Sequence, residues 1–333
     1  MEYIEVAENS DLPKYAQIKN SIKHAIYKGE LQQGAKLPSL NAIKKAHGVS
    51  QDTILLAYRQ LMNEGLVVST YGKGYFVAQD HRLGRKICLI FDKLTLYKEE
   101  LYESIVTQFE SQDQVDIFFH HNQPLAFQSL LEKIHGQYTD YLIIPFDDPA
   151  FESSIERLPQ KRVFLLDRLP GNLQHQYGGV FQDFQQDTLN ALNSIADPIK
   201  KYQRLVLLLP HRQLQMAQIM EGAQAFAQQA DLKFKVVSSA AKYKLQAGDL
   251  VIAIYDKDLA AVMQQIHSEG FTLAQQVGVI SYNDTPLKAV IGQGITCIST
   301  DFAAMGQKVS QLVKEQNQIQ LKNIAQLIIR KSV

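Results

Sequence analysis

The chain has 333 residues, and its 34 basic and 34 acidic side chains give a formal net charge of zero. This length accommodates two or three domains, and the even charge excludes a protein that is strongly basic or acidic throughout. Cys88 and Cys297 stand singly in apolar runs, which predicts reduced core residues and argues against a disulfide framework or a metal site.

Two short helices joined by a turn are predicted between Pro38 and Leu61. Ser39 can cap the first helix and Gly48 ends it, whereas Ser50 can cap the second. The second helix carries apolar residues at helical spacing, namely Ile54, Ala57, Tyr58 and Leu61. An earlier helix patterned by Tyr15, Ile18, Ile22 and Ile26 and a later hairpin over 65–78 complete a predicted winged helix-turn-helix.

Local charge supports a DNA-binding role for this segment. Residues 10–78 contain nine Lys or Arg and four acids, a net of +5 within a neutral chain. The first turn of the second helix would enter the major groove, and the Gly72–Gly74 turn would lie against phosphate. A nucleotide-binding loop is the weaker alternative for this turn, since no strand and helix flank its glycines in the required order. The candidate DNA-binding residues are Ser39, Asn41, Lys44, Lys45, Ser50, Gln51, Asp52, Thr53, Tyr58 and Lys73.

Residues 13–78 resemble the GntR family of bacterial transcription regulators. The motifs that carry this resemblance include Leu37-Pro38-Ser39, Gly48-Val49-Ser50, Glu64-Gly65 and Gly72-Lys73-Gly74-Tyr75-Phe76-Val77. Family members commonly have arginine where this chain has Asn41 and Gln51. The resemblance implies a double-stranded DNA operator as partner, and amide side chains in place of arginine favour adenine over guanine.

A second pattern begins after a polar segment over 79–86, which we interpret as a linker between domains 1–78 and 87–333. Short apolar runs then alternate with helical stretches, which predicts doubly wound parallel α/β sheets. The candidate strands are ICLIF, VDIFF, YLIIP, RVFLL, RLVLLLP, DLVIAIY, QVGVIS and TCIS.

Polar residues follow many of these runs, at the end of the strands where such sheets bind ligands. Each residue alone is more often a helix cap or a turn residue, but their convergence suits a polyhydroxylated ligand. Carboxylates accept hydroxyl protons, Arg and Asn donate, and aromatic rings cover a sugar face. The candidate effector-binding residues are Asp92, Arg168, Asp183, Arg212, Tyr255, Asp256, Asn283 and Asp284, with Lys93 and Tyr97 at the site or its rim.

The segment from Ile87 onward resembles the effector domains of LacI/GalR repressors, which are two-lobed and similar to periplasmic sugar-binding proteins. Its most specific stretch runs from Val277 to Leu287. Among the candidates, Arg168, Asp183, Asp256 and either Asn283 or Asp284 match the family's ligand contacts. The family usually has an arginine three residues before the glycine that corresponds to Gly222. This chain has Ile219-Met220-Glu221-Gly222 there, so the arginine is absent, and Arg212 could stand in for it.

A GntR winged helix joined to such a domain is the combination of arabinose-repressor-like regulators. The resemblance implies a repressor released by a sugar or sugar phosphate, without a cofactor. It also implies a homodimer whose contact lies on the first lobe, on helices near 99–111 or 124–135. No signal peptide or membrane span is evident, so we expect a cytoplasmic protein with no membrane partner.

Two other functions remain as alternatives. One is an architectural DNA binder whose second domain only dimerises. The other is an α/β enzyme, which the absence of a nucleophile elbow, a phosphate-binding loop and a zinc-protease motif disfavours. His120 and His121 are adjacent on a predicted strand and therefore point to opposite faces, which argues against a metal pair.

Overall fold

The protein is described by a computed structural model that covers residues 3–7, 10, 12–78, 84–134, 137–173, 176–209 and 214–333. It forms two compact units. The first comprises Met1–Ile90, Phe109–Leu142 and Ser153–Val163, and the second comprises Phe91–Gln108, Ile143–Glu152 and Phe164–Val333. Residues 79–83 of the predicted linker lie outside the described residues, so the predicted domain boundaries stay a prediction.

The N-terminal part of the first unit is the predicted winged helix. Its elements are α1 (Lys14–Tyr27), α2 (Leu40–His47), α3 (Gln51–Asn63), β1 (Val67–Thr70) and β2 (Gly74–Val77), and the two strands pair antiparallel. Apolar residues at helical spacing, among them Ile22, Ile54 and Leu61, are fully buried in its core. Lys23 also donates to Glu64 at 2.7 Å, which joins α1 to the end of α3.

The helix-turn-helix begins and ends where the sequence predicts. Ser39 and Ser50 cap α2 and α3, and Gly48 ends α2 with a φ of 64°, a left-handed conformation that glycine adopts without strain. The chain can therefore turn sharply between the two helices.

Two six-stranded sheets form the rest of the fold. The remaining elements, in chain order, are β3 (Lys86–Phe91), α4 (Leu96–Val106), β4 (Gln114–Phe119), α5 (Pro124–Ile134), β5 (Asp140–Ile143), α6 (Pro149–Ile155), β6 (Val163–Asp167), β7 (Gly178–Phe181), α7 (Phe184–Asn193), α8 (Ala196–Ile199), β8 (Arg204–Leu208), α9 (Leu214–Gln229), β9 (Lys233–Val237), β10 (Asp249–Ala253), α10 (Asp256–Ser268), β11 (Val277–Tyr282), α11 (Pro286–Val290), β12 (Thr296–Thr300), α12 (Phe302–Glu315), β13 (Gln320–Lys322) and β14 (Ala325–Ile328). The strand orders are β13-β7-β6-β5-β3-β4 and β14-β12-β11-β10-β8-β9.

All eight apolar runs proposed as strands are strands, which confirms the α/β architecture with two parallel-sheet lobes. Four further strands, β7, β9, β13 and β14, were not among the eight. Strand β9 lies at a sheet edge and is largely exposed, so its sequence KFKVV carries no continuous apolar run. Strand β14 pairs antiparallel with β12, so this sheet is mixed, not wholly parallel.

Helix α9 crosses α7 closely at Gly222. A Cβ atom at this position would lie 2.4 Å from the carbonyl oxygen of Gln185, so only glycine allows this approach. The glycine thus has a packing role, because it lets α9 lie close to α7.

Candidate functional sites

The first candidate site is the exposed surface at the start of α3. The Ser50 hydroxyl accepts from the Thr53 amide at 3.2 Å, and the Ser39 hydroxyl accepts from the Ala42 amide at 3.2 Å. Both serines therefore have capping roles that fix the two helix starts. The side chains of Gln51 and Asp52 are exposed in the first turn of α3.

An amide pair connects the two helices on this surface. Gln51 Nε2 donates to Asn41 Oδ1 at 2.5 Å, and both residues are exposed. These are the two residues at which the chain departs from the arginines common in GntR proteins, and no sequence pattern indicated that their side chains meet.

The winged helix also carries exposed cations. Lys44 and Lys45 are exposed in the last turn of α2, and Lys73 is exposed in the turn between β1 and β2. Tyr71 at the same turn is fully exposed. Such an arrangement suits contacts with a phosphate backbone.

Tyr58 is wrong as a candidate DNA contact. Its side chain is fully buried in the winged-helix core, and its hydroxyl donates to the Pro38 carbonyl at 2.6 Å. Burial, together with the neighbouring Tyr3 and Tyr75, raises its pKa. Tyr58 therefore holds α3 against the segment before α2 and does not face the exposed surface.

The second candidate site lies in the second unit, where Asp92 follows β3. Asp92 forms ion pairs with Lys98, on α4, and with Arg168, which follows β6 and whose Nη2 lies 3.5 Å from Asp92 Oδ2. All three side chains are at least nine-tenths buried. Arg168 Nε also lies 3.6 Å from Asp167 Oδ2 but has no hydrogen-bond partner among the residues that the structure describes. A buried guanidinium N–H without a partner is a donor available to a ligand.

Burial and charge oppose each other in this cluster. Burial alone would raise the pKa of the Asp92 carboxyl, but Lys98 and Arg168 outweigh it, so the pKa is lowered. Burial lowers the pKa of Lys98 despite the raising effect of Asp92 and Asp167. Asp92 is therefore held as a carboxylate, and Lys98 releases its proton more easily than an exposed lysine.

Aromatic residues lie beside the charged cluster. Lys93 Nζ lies 5.3 Å from the centre of the Tyr255 ring, and Arg168 and Asp92 both act electrostatically on the Tyr255 hydroxyl. Tyr97 stacks on Phe302 with 5.0 Å between ring centres, and burial raises its pKa to about 12. The structure thus brings Asp92, Arg168 and Tyr255 together, as the sequence predicts.

The other candidate effector residues have different partners. Asp183 caps α7 and pairs with Lys322 at 3.0 Å, while Asp256 pairs with Lys288 at 2.9 Å. Arg330 donates to both oxygens of Asp284 at 2.6 Å, which ties Asp284 to the chain's own C-terminal segment. Arg212 lies outside the described residues.

Two residues at the ends of strands adopt left-handed backbone conformations, which are uncommon for residues other than glycine. They are Asp167, with a φ of 70°, and Asn283, with a φ of 56°. Such backbone conformations cost free energy and persist only where the surrounding structure holds them, and they cluster at ligand sites. Arg330 binds the carboxylate of Asp284 and not the side chain of Asn283, so Asn283 is a stronger ligand candidate than Asp284.

Sequence reasoning missed the buried lysines. Lys98 lies at Asp92, and Lys288 donates to the carbonyl oxygens of Tyr282 and Asn283 at 2.8 and 2.6 Å. It also missed Gln182, which donates to Asp167 and accepts from Thr300. A lysine in a helical stretch carries no sequence signal that separates a buried position from an exposed one.

Among the described residues, no cluster of three or more His, Cys, Asp or Glu could hold a metal ion. His120 is buried and accepts the Asn122 amide through Nδ1 at 3.0 Å. No helix in the described ranges is both long and apolar enough to cross a bilayer.

The fold thus joins an N-terminal winged helix to two lobes that are each built on a largely parallel sheet. Residues 14–77 match the family described as bacterial regulatory proteins, gntR family. Residues 200–333 match the periplasmic binding protein-like domain. The winged helix therefore belongs to the GntR type, and the domains are those of a transcription regulator.

Several curated relatives are transcriptional repressors. The HTH-type transcriptional repressor YtrA of Bacillus subtilis (strain 168) is 29% identical over 103 residues, 31% of this chain and 76% of that protein. The mannosyl-D-glycerate transport/metabolism system repressor MngR of Escherichia coli (strain K12) is 28% identical over 157 residues, 47% of this chain and 52% of MngR. The arabinose metabolism transcriptional repressor of Halalkalibacterium halodurans is 31% identical over 141 residues, 39% of this chain and 38% of that repressor. The chain thus spans about half of MngR and less of the arabinose repressor.

Solved structures share the fold at low identity. The trehalose repressor from Escherichia coli has a TM-score of 0.63 at 14% identity, covering 73% of this chain and 99% of that one. The transcriptional regulator CelR in complex with cellobiose has a TM-score of 0.63 at 12% identity, covering 89% of this chain and 100% of CelR. These similarities establish the LacI-like architecture.

Proposed function

We propose that this protein is a sugar-responsive, DNA-binding transcriptional repressor that a small carbohydrate releases from its operator. The observation that carries the proposal is the presence, in one chain, of an exposed helix-turn-helix surface and a buried charged cluster at strand ends. The repressors MngR and the arabinose repressor, both named for sugar metabolism, support the choice of a carbohydrate, as does the cellobiose complex of CelR.

The proposed effector contacts are chosen by their chemistry. Arg168 has a buried donor without a partner, Asp92 is an ionised acceptor, and the ring of Tyr255 can cover an apolar sugar face. Asp183, Asp256 and Asn283 are proposed as outer contacts. Asp183 and Asp256 would have to exchange or share their present partners, Lys322 and Lys288, to bind a hydroxyl.

The proposed DNA partner is a near-palindromic duplex bound by a homodimer. One recognition helix reads only a few base pairs, so useful specificity requires two half-sites related by two-fold symmetry. Of the two helices predicted for the dimer contact, α4 lies against α12, with Ser104 donating to the Ala303 carbonyl at 2.6 Å. Both helices carry an exposed leucine, Leu96 on α4 and Leu125 on α5, so the packing of α4 against α12 is what favours α5 as the contact. Sedimentation of the full chain at micromolar concentration should give a dimer, and a monomer would contradict this part.

The effector proposal is tested by thermal unfolding of the full chain with single monosaccharides and their phosphates. A sugar at 100 times its dissociation constant should stabilise the protein by about 2.7 kcal/mol. Arg168→Ala should abolish this shift, whereas Arg157→Ala, which removes an exposed arginine that pairs with Glu132, should retain it. If none of these compounds produces a shift, the alternative of a ligand-inactive dimerisation domain replaces the sugar proposal.

Coupling between the two activities is tested by titrating the active sugar with and without bound operator. If the sugar weakens operator binding tenfold, the operator must weaken sugar binding tenfold, a coupling of about 1.4 kcal/mol. Equal sugar affinities in both titrations would show that the sugar does not control DNA binding.

A further inference from the structure

The amide pair on the winged helix assigns different roles to its two members. Asn41 is the second residue of α2 and Gln51 is the first residue of α3, so both lie in the first turn after a serine cap that fixes the backbone. Gln51 Nε2 donates to Asn41 Oδ1 at 2.5 Å, and both residues are exposed. The two side chains are therefore connected before any DNA is bound.

A primary amide has one oxygen acceptor and two N–H donors that point in different directions. The oxygen and the N–H on the same side form the pair that matches N6–H and N7 of adenine in the major groove. The second N–H remains available for a neighbour. A glutamine can thus bind adenine in a bidentate manner while its other hydrogen is held by a second side chain.

We propose that Asn41 positions Gln51 for bidentate recognition of one adenine in each half-site, and that Asn41 does not itself read a base. This inference rests on the proposed DNA-binding function. Asn41 Oδ1 already accepts from Gln51, so a bidentate pair of Asn41 with adenine would have to share that oxygen. The contact also limits the rotation of the long Gln51 side chain and so reduces the entropy lost on binding DNA.

The experiment begins by selecting duplexes from a random-sequence library with the full-length protein. The adenine preference at each position is the dissociation constant for the A·T to G·C variant divided by that for the selected duplex. Gln51→Ala should lower this ratio by about tenfold to a hundredfold at one position per half-site and leave other positions unchanged. Replacing that adenine by 7-deazaadenine, which lacks the N7 acceptor, should weaken wild-type binding and not that of Gln51→Ala.

Asn41→Ala should lower the preference at the same position, and adding it to Gln51→Ala should cause no further loss. Asn41→Asp keeps the oxygen acceptor and should preserve the preference, although its negative charge should weaken binding to every duplex. The control Gln60→Ala removes a glutamine amide near the end of α3 and should not alter the preference. Thermal unfolding of each variant confirms that the exposed substitutions leave the fold intact.

Independent, additive losses from Asn41→Ala and Gln51→Ala would overturn the proposal. Loss of preference at a different base pair in Asn41→Ala would do so as well, because it would show that Asn41 reads a base directly. Failure to enrich any duplex would instead overturn the proposed DNA-binding function, together with this inference.

Discussion

Asp92→Asn removes the charge on which the buried strand-end cluster depends. In the native protein, Asp92 forms ion pairs with Lys98 and Arg168, and the three side chains are 6%, 4% and 6% exposed, respectively. Asparagine keeps an oxygen acceptor but leaves both cations without this partner. Breaking a buried ion pair by removing one member costs roughly 3 to 5 kcal/mol.

The structure places this variant at the lower end of that range. Arg168 retains Asp167 at 3.6 Å, and Lys98 can release its proton because burial already lowers its pKa. We therefore expect Asp92→Asn to lower the free energy of unfolding by about 3 kcal/mol. The measurement is urea denaturation of the full chain at pH 7, followed by circular dichroism.

A matched double variant isolates the charge. Lys98→Met keeps an unbranched side chain of similar length without the charge, so the double variant should be more stable than the sum of the two single losses by at least about 1 kcal/mol. A loss below about 1 kcal/mol in Asp92→Asn, or strict additivity in the double variant, would refute the reasoning that the cluster is held by compensated charge.

The pH dependence of the same variant has a definite sign. The folded-state pKa of Asp92 is lowered, so its contribution is complete above the unfolded value, near 3.9, and is lost as pH falls through the folded value. Asp92→Asn should therefore differ most from wild type at neutral pH, and the difference should shrink in acid. A difference that grew below pH 4 would contradict this assignment.

Three further predictions concern other parts of the chain. Tyr58→Phe removes the hydroxyl that donates to the Pro38 carbonyl at 2.6 Å and should cost about 1 kcal/mol in urea denaturation, whereas unchanged stability would remove its positioning role. Arg330→Met breaks the paired hydrogen bonds to Asp284, which lower the pKa of that carboxyl. The wild-type protein should lose the stabilisation from this pair as pH falls below about 4, whereas the variant has no such stabilisation to lose. If the free energies of unfolding of the two proteins fell in parallel between pH 5 and 2, the role assigned to the Arg330–Asp284 pair would be contradicted. Lys73→Ala should weaken binding to all duplexes alike and reduce the slope of log K against log salt concentration by about 1 per wing, and a loss confined to one sequence would instead indicate base recognition.

The sequence by itself determined the local structure of this protein. Ser39, Gly48 and Ser50 act within one helical turn of their own positions, so the helix-turn-helix follows from the chain alone. Continuous apolar runs likewise predicted the buried strands, because a strand covered on both faces excludes polar residues. The edge strand β9 was not predicted, because an exposed edge strand does not require a continuous apolar run.

Only the tertiary structure decided which side chains meet and which are buried. The amide pair of Asn41 and Gln51, which are ten residues apart in the chain, connects α2 with α3, and Arg168 reaches Asp92 across a separation of 76 residues. The helical period of α3 placed Tyr58 on the apolar face of the helix. Only the tertiary packing showed that its hydroxyl donates to the Pro38 carbonyl. Asp183, Asp256 and Asp284 follow strands in the same manner as Asp92, but each is paired with a different cation. The physical reason is that charge pairing and burial depend on distance in three dimensions, whereas caps and periodicity depend on neighbours along the chain.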